Sequence, residues 1–269
     1  MTEEPEKTDE DYDRTRRRFL QVATLGVIGA GATVLFSEDI RGALGMGGGD
    51  PRTAVPQKRE WVMLIDLAKC DGCGKCTEGC AAMHFVPPGQ EWIKVYTIED
   101  EFGQRHFLPR PCMHCEDAPC QKVCPVGATF QKDDGRILID HNRCIGCRYC
   151  MAACPYDVRA FNWSEPPHTP EELAHPYSPE APWPHRRGTV EKCDFCGHDA
   201  EKGGLPGCVQ ACTEEMGNGA IYFGDLREDA VSNGVETLPF SETIRKEQGF
   251  RLKEELGTGP HVWYLPARR

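Results

Sequence analysis

The stretch RCIGCRYCMAACP at residues 143–155 contains four cysteines separated by two, two and three residues, with a proline directly after the last. These cysteines are Cys144, Cys147, Cys150 and Cys154. Three further groups of four accompany them: Cys70, Cys73, Cys76 and Cys80; Cys112, Cys115, Cys120 and Cys124; and Cys193, Cys196, Cys208 and Cys212. All 16 cysteines of the 269-residue chain therefore belong to four groups, which we number one to four in chain order.

This spacing is typical of ligands to [4Fe–4S] clusters. In the run C-x2-C-x2-C-x3-C-P, three cysteines bind one cluster and the fourth binds a different cluster. Four thiolates per cluster and 16 cysteines predict four [4Fe–4S] clusters with no cysteine left over. We therefore expect a chain whose chemistry is the transfer of electrons.

Disulfide bonds and structural zinc are the alternatives for so many cysteines. Disulfide scaffolds are mostly short chains without a full hydrophobic core, whereas this chain has 269 residues. A four-cysteine zinc site is built from two C-x2-C pairs separated by a loop of variable length. In all four groups here the last cysteine follows after three intervening residues, which favours iron–sulfur ligation.

Charge and motifs exclude several other functions. The chain has 31 Lys and Arg against 42 Asp and Glu, a net charge of −11, so it lacks the basic footprint of a nucleic-acid-binding protein. The sequence contains no nucleophile–base pair, phosphate loop or dinucleotide fingerprint. We therefore expect a protein that transfers electrons and carries out no bond chemistry on a substrate.

The N-terminus resembles a twin-arginine export signal. Three arginines at residues 16–18 precede an uncharged, glycine-containing stretch at residues 19–36. A membrane anchor is the alternative, because this stretch is at the lower limit for a transmembrane helix. We interpret residues 1–36 as a signal or anchor and residues 37–59 as a Gly- and Pro-rich linker. The protein is then expected to be exported in folded form to the periplasm or the outer face of the cytoplasmic membrane.

An internal repeat predicts the fold class. WVMLIDLAKC, which ends at Cys70, matches GRILIDHNRC, which ends at Cys144. Gly-Ala-Thr-Phe follows Cys124 in the same way that Gly-Ala-Ile-Tyr follows Cys212. Each repeat thus predicts strands and short helices around cysteine loops, which is an α+β fold organised by its clusters.

The lengths between the cysteine groups suggest two interleaved ferredoxin-like domains. Only 19 residues separate groups two and three, against 31 between one and two and 38 between three and four. We infer an inserted domain that holds groups two and three, enclosed by an outer domain that holds groups one and four. The predicted segments are 60–111 and 155–225 for the outer domain, 112–154 for the inserted domain, 164–187 for a Pro-rich insertion and 226–269 for a C-terminal tail that contacts a partner.

This organisation predicts nested ligand sets in which each fourth cysteine crosses over within its domain. Set 1 is Cys70, Cys73, Cys76 and Cys212; set 2 is Cys193, Cys196, Cys208 and Cys80; set 3 is Cys112, Cys115, Cys120 and Cys154; and set 4 is Cys144, Cys147, Cys150 and Cys124. Spacing alone leaves open the alternative that group one pairs with two and group three with four.

Three motifs resemble a known family. They are CMHCEDAPCQKVCPVGA at residues 112–128, RCIGCRYCMAACPYDVRAF at 143–161 and EKCDFCGHDAEKGGLPGCVQACTEEM at 191–216. Over roughly residues 60–265 the chain is similar to the four-cluster iron–sulfur subunit of complex iron–sulfur molybdoenzymes, such as polysulfide, tetrathionate, dimethyl sulfoxide and nitrite reductases. In nitrate-reductase-type relatives one ligand is replaced, whereas here every ligand position is a cysteine.

The resemblance implies the function and the partners. It implies the same nested pairing and an electron relay between a molybdopterin-type catalytic subunit and an integral-membrane, quinone-reactive subunit. The alternative is the same module in a respiratory complex that lacks catalytic molybdenum and is hydrogenase-, cytochrome- or quinol-linked.

Several other residues near the cysteines are candidates for adjusting the clusters or contacting a partner. Basic residues that are expected either to raise reduction potentials or to lie on the surface are Lys75, Lys122, Arg143, Arg148 and Lys192. Histidines expected to shape the surroundings of the ligands are His84, His114 and His198. In the Pro-rich insertion, Tyr177 and Trp183 are candidate anchors for a partner, unless this segment is simply a solvated loop.

Overall fold

The computed structural model describes residues 58–214 and 218–267, which include all 16 cysteines. The predicted signal at residues 1–36 and nearly all of the predicted linker at residues 37–59 lie outside the described residues. Within the described ranges, none of the helices combines the length and the apolar character needed to cross a membrane.

The described residues form a mixed α+β fold. The strands in chain order are β1 (Trp61–Asp66), β2 (Lys94–Glu99), β3 (Arg105–Arg110), β4 (Thr129–Gln131), β5 (Ile137–Ile139), β6 (Ala160–Phe161), β7 (Val190–Glu191), β8 (Ile221–Asp225), β9 (Ala230–Ser232), β10 (Thr237–Pro239) and β11 (Val262–Leu265). The helices are α1 (Lys75–His84), α2 (Pro119–Lys122), α3 (Tyr149–Ala152), α4 (Pro170–Ala174), α5 (Gly197–Ala200), α6 (Gly207–Glu214) and α7 (Phe240–Glu247), and a 3-10 turn covers Glu254–Leu256.

Strand β1 lies inside a five-stranded sheet with the order β10-β9-β8-β1-β11. It is antiparallel to β8 and parallel to β11. Because successive side chains of a strand point to opposite faces, β1 contributes to two cores. Met63 and Ile65 pack into the core that contains the cysteines, whereas Val62 and Leu64 pack into a second core without cysteines, beside Phe240 of α7. Both faces of the strand are therefore buried, as its continuous apolar sequence predicts.

The internal repeat appears as two equivalent strand pairs. Strand β1, which precedes group one, pairs with β8, which follows group four. Strand β5, which precedes group three, pairs with β4, which follows group two. The helices show the same relation, since α1 of group one packs against α6 of group four and α2 of group two packs against α3 of group three. Group one is thus joined to group four, and group two to group three.

Helices α1 and α6 approach each other so closely that glycine is required at their contact. A Cβ atom on Gly79 would lie 2.5 Å from the Cβ of Ala211 and 2.7 Å from the carbonyl oxygen of Gly207. A Cβ on Gly207 would in turn lie 2.9 Å from the carbonyl oxygen of Gly79. These distances are below normal van der Waals contact, so the two backbones pack directly on each other. The close approach brings the cysteines of α1 and α6 together.

The segments predicted as tail and insertion are both part of the fold. The tail supplies β9, β10 and β11 of the central sheet, and its residues 262–265 form the edge strand β11. In the insertion, Trp183 is buried against His84 and His198, so the expectation that Trp183 anchors a partner is wrong. Tyr177 is half-buried and donates a hydrogen bond to Asp140 (2.8 Å), which attaches the insertion to the segment before group three.

The Gly79 contact gives a test of the packing between α1 and α6. Replacing Gly79 by Val should destabilise the cluster-loaded protein by about 1–3 kcal/mol, because the helices would have to separate. It should also reduce the iron retained per chain, since both helices carry ligands. Thermal unfolding and iron analysis measure the two effects.

The matched control is Ala82→Val, because Ala82 is exposed on the same helix. This variant carries the same β-branched side chain and leaves the helix contact intact. Equal losses of stability and iron in both variants would contradict the argument.

Candidate iron–sulfur centres

None of the 16 cysteines, all of which lie within the described residues, forms a disulfide bond, and most of them lie inside the protein. Ten are buried, five are half-buried, and only Cys73 is exposed. Within a run, the two-residue gaps direct the side chains of neighbouring cysteines into the same space. The short helix at the end of each run places the later cysteines beside them. The interior is therefore lined with sulfur donors.

Sets 1 and 2 are each brought together by the pairing of α1 with α6. In set 1, the thiols of Cys70, Cys73 and Cys76 all interact electrostatically with that of Cys212, which comes from α6. In set 2, Cys80 interacts with Cys193 and Cys208. Cys196 interacts with the same three members of set 2, Cys80, Cys193 and Cys208.

Sets 3 and 4 are brought together by α2 and α3. In set 3, Cys115 interacts with Cys112, Cys120 and Cys154. In set 4, Cys150 interacts with Cys144 and Cys124. All four cysteines of set 4 also line one small cavity: Cys124, Cys144, Cys147 and Cys150.

The alternative pairing would place group one beside group two. The thiols that act most strongly on Cys80 come from groups one and four, and group two supplies none of them. Around Cys80, group one therefore lies beside group four and not beside group two.

The four sets follow one another in a row. Sets 1 and 2 adjoin where Cys208 interacts with both Cys76 and Cys212. Sets 2 and 3 adjoin where Cys193 interacts with Cys112. Sets 3 and 4 adjoin around Arg159, whose charge acts on Cys120 and Cys150. Neighbouring sets therefore lie side by side, which is the arrangement required for stepwise electron transfer.

The raised pKa values of the buried thiols indicate what kind of group the four sets can bind. Burial, followed by the charges of neighbouring cysteines, raises the pKa of Cys76 to about 12. Burial and Cys112 likewise raise the pKa of Cys115 to about 12, and the pKa of Cys80 is raised well above its ordinary value by burial and by Cys193 and Cys208. Four adjacent thiolates in such a site are stable only around a positively charged core. This donor set fits a [4Fe–4S] cluster, whose binding would release the thiol protons.

Backbone amides complete the surroundings of Cys124. The N–H groups of Ala128 and Thr129 donate to its sulfur at 3.2 and 3.5 Å. Burial would raise the pKa of Cys124, but these and neighbouring backbone hydrogen bonds lower it overall. Gly127 has φ +60°, a left-handed conformation that turns the chain around the sulfur. Such amide donors stabilise a thiolate and influence the potential of the cluster it binds.

Two of the predicted histidines are fully buried beside ligands. His84 Nε2 lies 3.0 Å from the sulfur of Cys196, and burial lowers the pKa of His84 although Asp194 opposes this. His114 Nε2 lies 3.0 Å from the carbonyl oxygen of Cys193, and its Nδ1 accepts a hydrogen bond from the N–H of Ile137. Burial, together with the nearby charge of Lys192, keeps the pKa of His114 well below its ordinary value, so the ring is neutral.

His84, Asp194 and Cys196 place their ligand atoms within 4.8 Å of one another. Because Cys196 belongs to set 2, these three side chains are part of the surroundings of that set. The third histidine, His198, is partly exposed and lies 3.0 Å from the carboxylate of Asp199.

Of the five basic residues, only Lys192 is buried. Its ammonium group donates to the carbonyl oxygens of Ile137 and Cys193, and its charge acts on the thiols of Cys193 and Cys120. Lys122 forms an exposed ion pair with Asp117 at 2.5 Å. Lys75, Arg143 and Arg148 likewise lie at or near the surface, and so do the groups that they contact.

Arg159, which sequence reasoning did not single out, is a second buried cation beside the cysteines. It lies within the RCIGCRYCMAACPYDVRAF motif, five residues after Cys154. No pattern of charge or periodicity marks it, because the strand that follows has only two residues.

Known proteins match this chain across the cysteine groups. Two family models, both described as "4Fe-4S dicluster domain", match residues 69–128 and 104–169. The selenate reductase B subunit of Mesobacillus selenatarsenatis is 42% identical over 77% of this chain and 72% of its own length. The putative iron–sulfur B subunit of dimethyl sulfoxide reductase from Halobacterium salinarum is 39% identical over 76% of this chain and 78% of its own length. The tetrathionate reductase B subunit of Salmonella typhimurium is 35% identical over 96% of this chain and 90% of its own length.

Pairs of cysteine variants test the ligand sets. Cys70→Ser and Cys212→Ser should alter the same cluster signal in electron paramagnetic resonance (EPR) spectra, because both cysteines belong to set 1. Cys80→Ser should alter the signal that Cys196→Ser alters, and not the signal that Cys112→Ser alters. A shared signal for Cys80→Ser and Cys112→Ser would instead establish the pairing of groups one and two.

Proposed function

The chain belongs to the ferredoxin-type iron–sulfur subunits of molybdoenzyme complexes, and on this basis we propose that it relays single electrons through four [4Fe–4S] clusters. The relay would connect a molybdopterin-type catalytic subunit with an integral-membrane, quinone-reactive subunit. Each bound cluster supplies a site that takes up and releases one electron. The observation that supports the proposal is that cysteines distant in sequence lie beside one another in the interior, as Cys70 does with Cys212 and Cys80 with Cys193.

The nested ligand sets are part of the proposal. Their support is that β1 pairs with β8 and α1 packs against α6, while β5 pairs with β4 and α2 packs against α3. Each of these pairs of elements joins the two cysteine groups that contribute to the same sets. The same pairs support two interleaved ferredoxin-like domains.

The protein itself contributes binding, water exclusion and electrostatics. Burial of ten cysteines keeps solvent away from most ligands. The amides at Cys124 and the charges of Lys192 and Arg159 would favour electron uptake at the sets they adjoin, because each reduction adds a negative charge.

The two ends of the row are the proposed contact points for partners. Set 1 ends at the exposed Cys73 and the half-buried Cys70. Around set 4, the side chains of Ile145 and Tyr149 are exposed although both are large and apolar or aromatic. The similarity to B subunits of reductases implies a catalytic partner, which we propose at one end. The membrane partner would then contact the other end.

Metal analysis of the intact complex tests this function. The native complex would be isolated anaerobically through a C-terminal tag on this chain, and iron, molybdenum and tungsten would be counted per chain. We expect about sixteen irons, at four per cluster, and about one molybdenum or tungsten. Sixteen irons without either metal would point to a respiratory complex that lacks catalytic molybdenum, and about eight irons would contradict four clusters.

Export in folded form is a further part of the proposal. It is supported by the arginine run before the uncharged stretch at residues 19–36 and by the burial of the ligands, which are gathered only in the folded chain. The expected destination is the periplasm or the outer face of the cytoplasmic membrane.

Replacing Arg16 and Arg17 by Lys tests the export route and keeps the positive charge. The tagged variant should accumulate in the cytoplasm with its iron content unchanged, because only the transport signal is altered. Cell fractionation combined with iron analysis gives the result. A variant that still reaches the outer face would contradict the proposed route, and a loss of iron would indicate a defect in assembly instead.

A further inference from the structure

Arg159 is a buried cation without a carboxylate partner. Its relative exposure is 4%, and none of the carboxylates in the described ranges forms an ion pair with it. Its Nη1 donates to the hydroxyl of Thr129 at 3.4 Å, and its Nη2 has no hydrogen-bond partner. Burying an unpaired charge is unfavourable, so its surroundings must supply negative charge of another kind.

Arg136 shows how this chain otherwise accommodates a buried guanidinium. Its Nη2 lies 2.7 Å from Asp134, 2.9 Å from Glu201 and 3.3 Å from Glu180. Three carboxylates therefore surround Arg136. Arg159 is buried to a similar degree and has none, which distinguishes the two positions chemically.

Cysteine sulfurs occupy the place of the missing carboxylates. The positive charge of the guanidinium acts on the thiol of Cys150, which belongs to set 4. The other thiols that act on it are those of Cys120, Cys112 and Cys154, all of set 3. Thr129 adds a second link to set 4, because its N–H donates to the sulfur of Cys124. Arg159 is thus a buried charge that acts on cysteines of two adjacent sets, and Thr129 links it by hydrogen bonds to Cys124 of set 4.

We propose that Arg159 is a shared positive charge between sets 3 and 4 that raises the reduction potentials of both clusters together. The inference rests on the proposed function, because it needs clusters in both sets. When one electron passes to either cluster from a neighbouring one, the acceptor gains one negative charge and the donor loses one. The buried cation stabilises the more negative state, and little solvent screens it. Because the charge lies between the two sets, it stabilises the reduced form of either cluster. It does not favour reduction of one cluster over the other.

Arg148 provides the matched control. It lies between Cys147 and Cys150 in the sequence, so it is as near to set 4 along the chain as a residue can be. Its side chain is exposed and lies over the rings of Trp163 and Phe161, at 4.5 and 5.2 Å from the ring centroids. Solvent and salt screen an exposed charge, so its removal should hardly affect the clusters.

The test compares Arg159→Gln, Arg159→Lys and Arg148→Gln in the complete complex. EPR-monitored redox titrations give the midpoint potential of each cluster, and the signals of sets 3 and 4 are identified with Cys112→Ser and Cys144→Ser. We expect Arg159→Gln to make both clusters at least about tenfold harder to reduce, which corresponds to about 59 mV for a one-electron couple. The other two clusters should keep their potentials, as should all four in Arg148→Gln, and Arg159→Lys should recover most of the shift.

Unchanged potentials in Arg159→Gln, or an equal shift of all four clusters, would overturn the proposal. If the glutamine variant does not retain its iron, Arg159→Met decides, because methionine fills the position without a charge: a downward shift confined to sets 3 and 4 supports the shared charge, and a shift in none or in all four overturns it. Iron counted in the unmodified complex separates this result from the proposed function. A wild-type content well below sixteen irons per chain would refute the four clusters whatever the variants show.

Discussion

The burial of sulfur is the constraint on which the rest of this structure depends. A buried thiolate is disfavoured, and each neighbouring thiolate disfavours it further, which is why the pKa of Cys196 and of Cys208 is raised well above the ordinary value by burial and by nearby charges. The cysteine-containing core is therefore complete only when a cationic iron–sulfide core joins each set. The second core, built on Val62, Leu64 and Tyr222, contains no cysteine and has no such requirement. Strand β1 connects the two, so the apolar sheet supports the part of the chain that depends on metal.

A repeated arrangement solves the problem of gathering ligands that are distant in sequence. Cys70 and Cys212 are separated by more than half of the chain, yet β1 and β8 pair directly and carry the two residues to the same place. The backbone contact between Gly79 and Gly207 then fixes the distance between the helices that bear the remaining ligands. The smaller pair β4 and β5 repeats this arrangement with only a short connection. The proposed nesting of the second unit within the first would place all four sets in one row, because each fourth cysteine would bind the cluster next to that of its own run.

The features that could be predicted from sequence are those with a local or repeated signal. The strands before Cys70 and Cys144 follow from apolar runs, and the gathering of the cysteines follows from spacing and the repeat. Strands β9 and β10 have three residues each, too few for a period of two to be recognised, and their place in the sheet depends on long-range pairing. The burial of Trp183 is equally invisible in a Pro-rich segment, because it depends on His84, about a hundred residues earlier. Arg159 was missed for the same reason, since the cysteines that act on it come from two separate cysteine runs.

Sets 2 and 3 have different buried charges beside them. This difference follows from the fold and not from the net charge of the chain. The carboxylate of Asp194 is buried, accepts a hydrogen bond from the N–H of Cys196 at 2.8 Å and acts on the thiols of set 2. Lys192, only two residues earlier, acts on Cys120 of set 3, where Arg159 adds a second positive charge. The chain carries a net charge of −11, but charges on its surface are screened by water and salt within a short distance. Asp194 therefore adds negative charge at set 2 and Arg159 adds positive charge at set 3, while Lys192 acts on thiols of both sets. A few buried side chains can therefore make the reduction potentials of neighbouring clusters unequal. The acidic surface, whose charges are screened, can serve solubility and contact with partners.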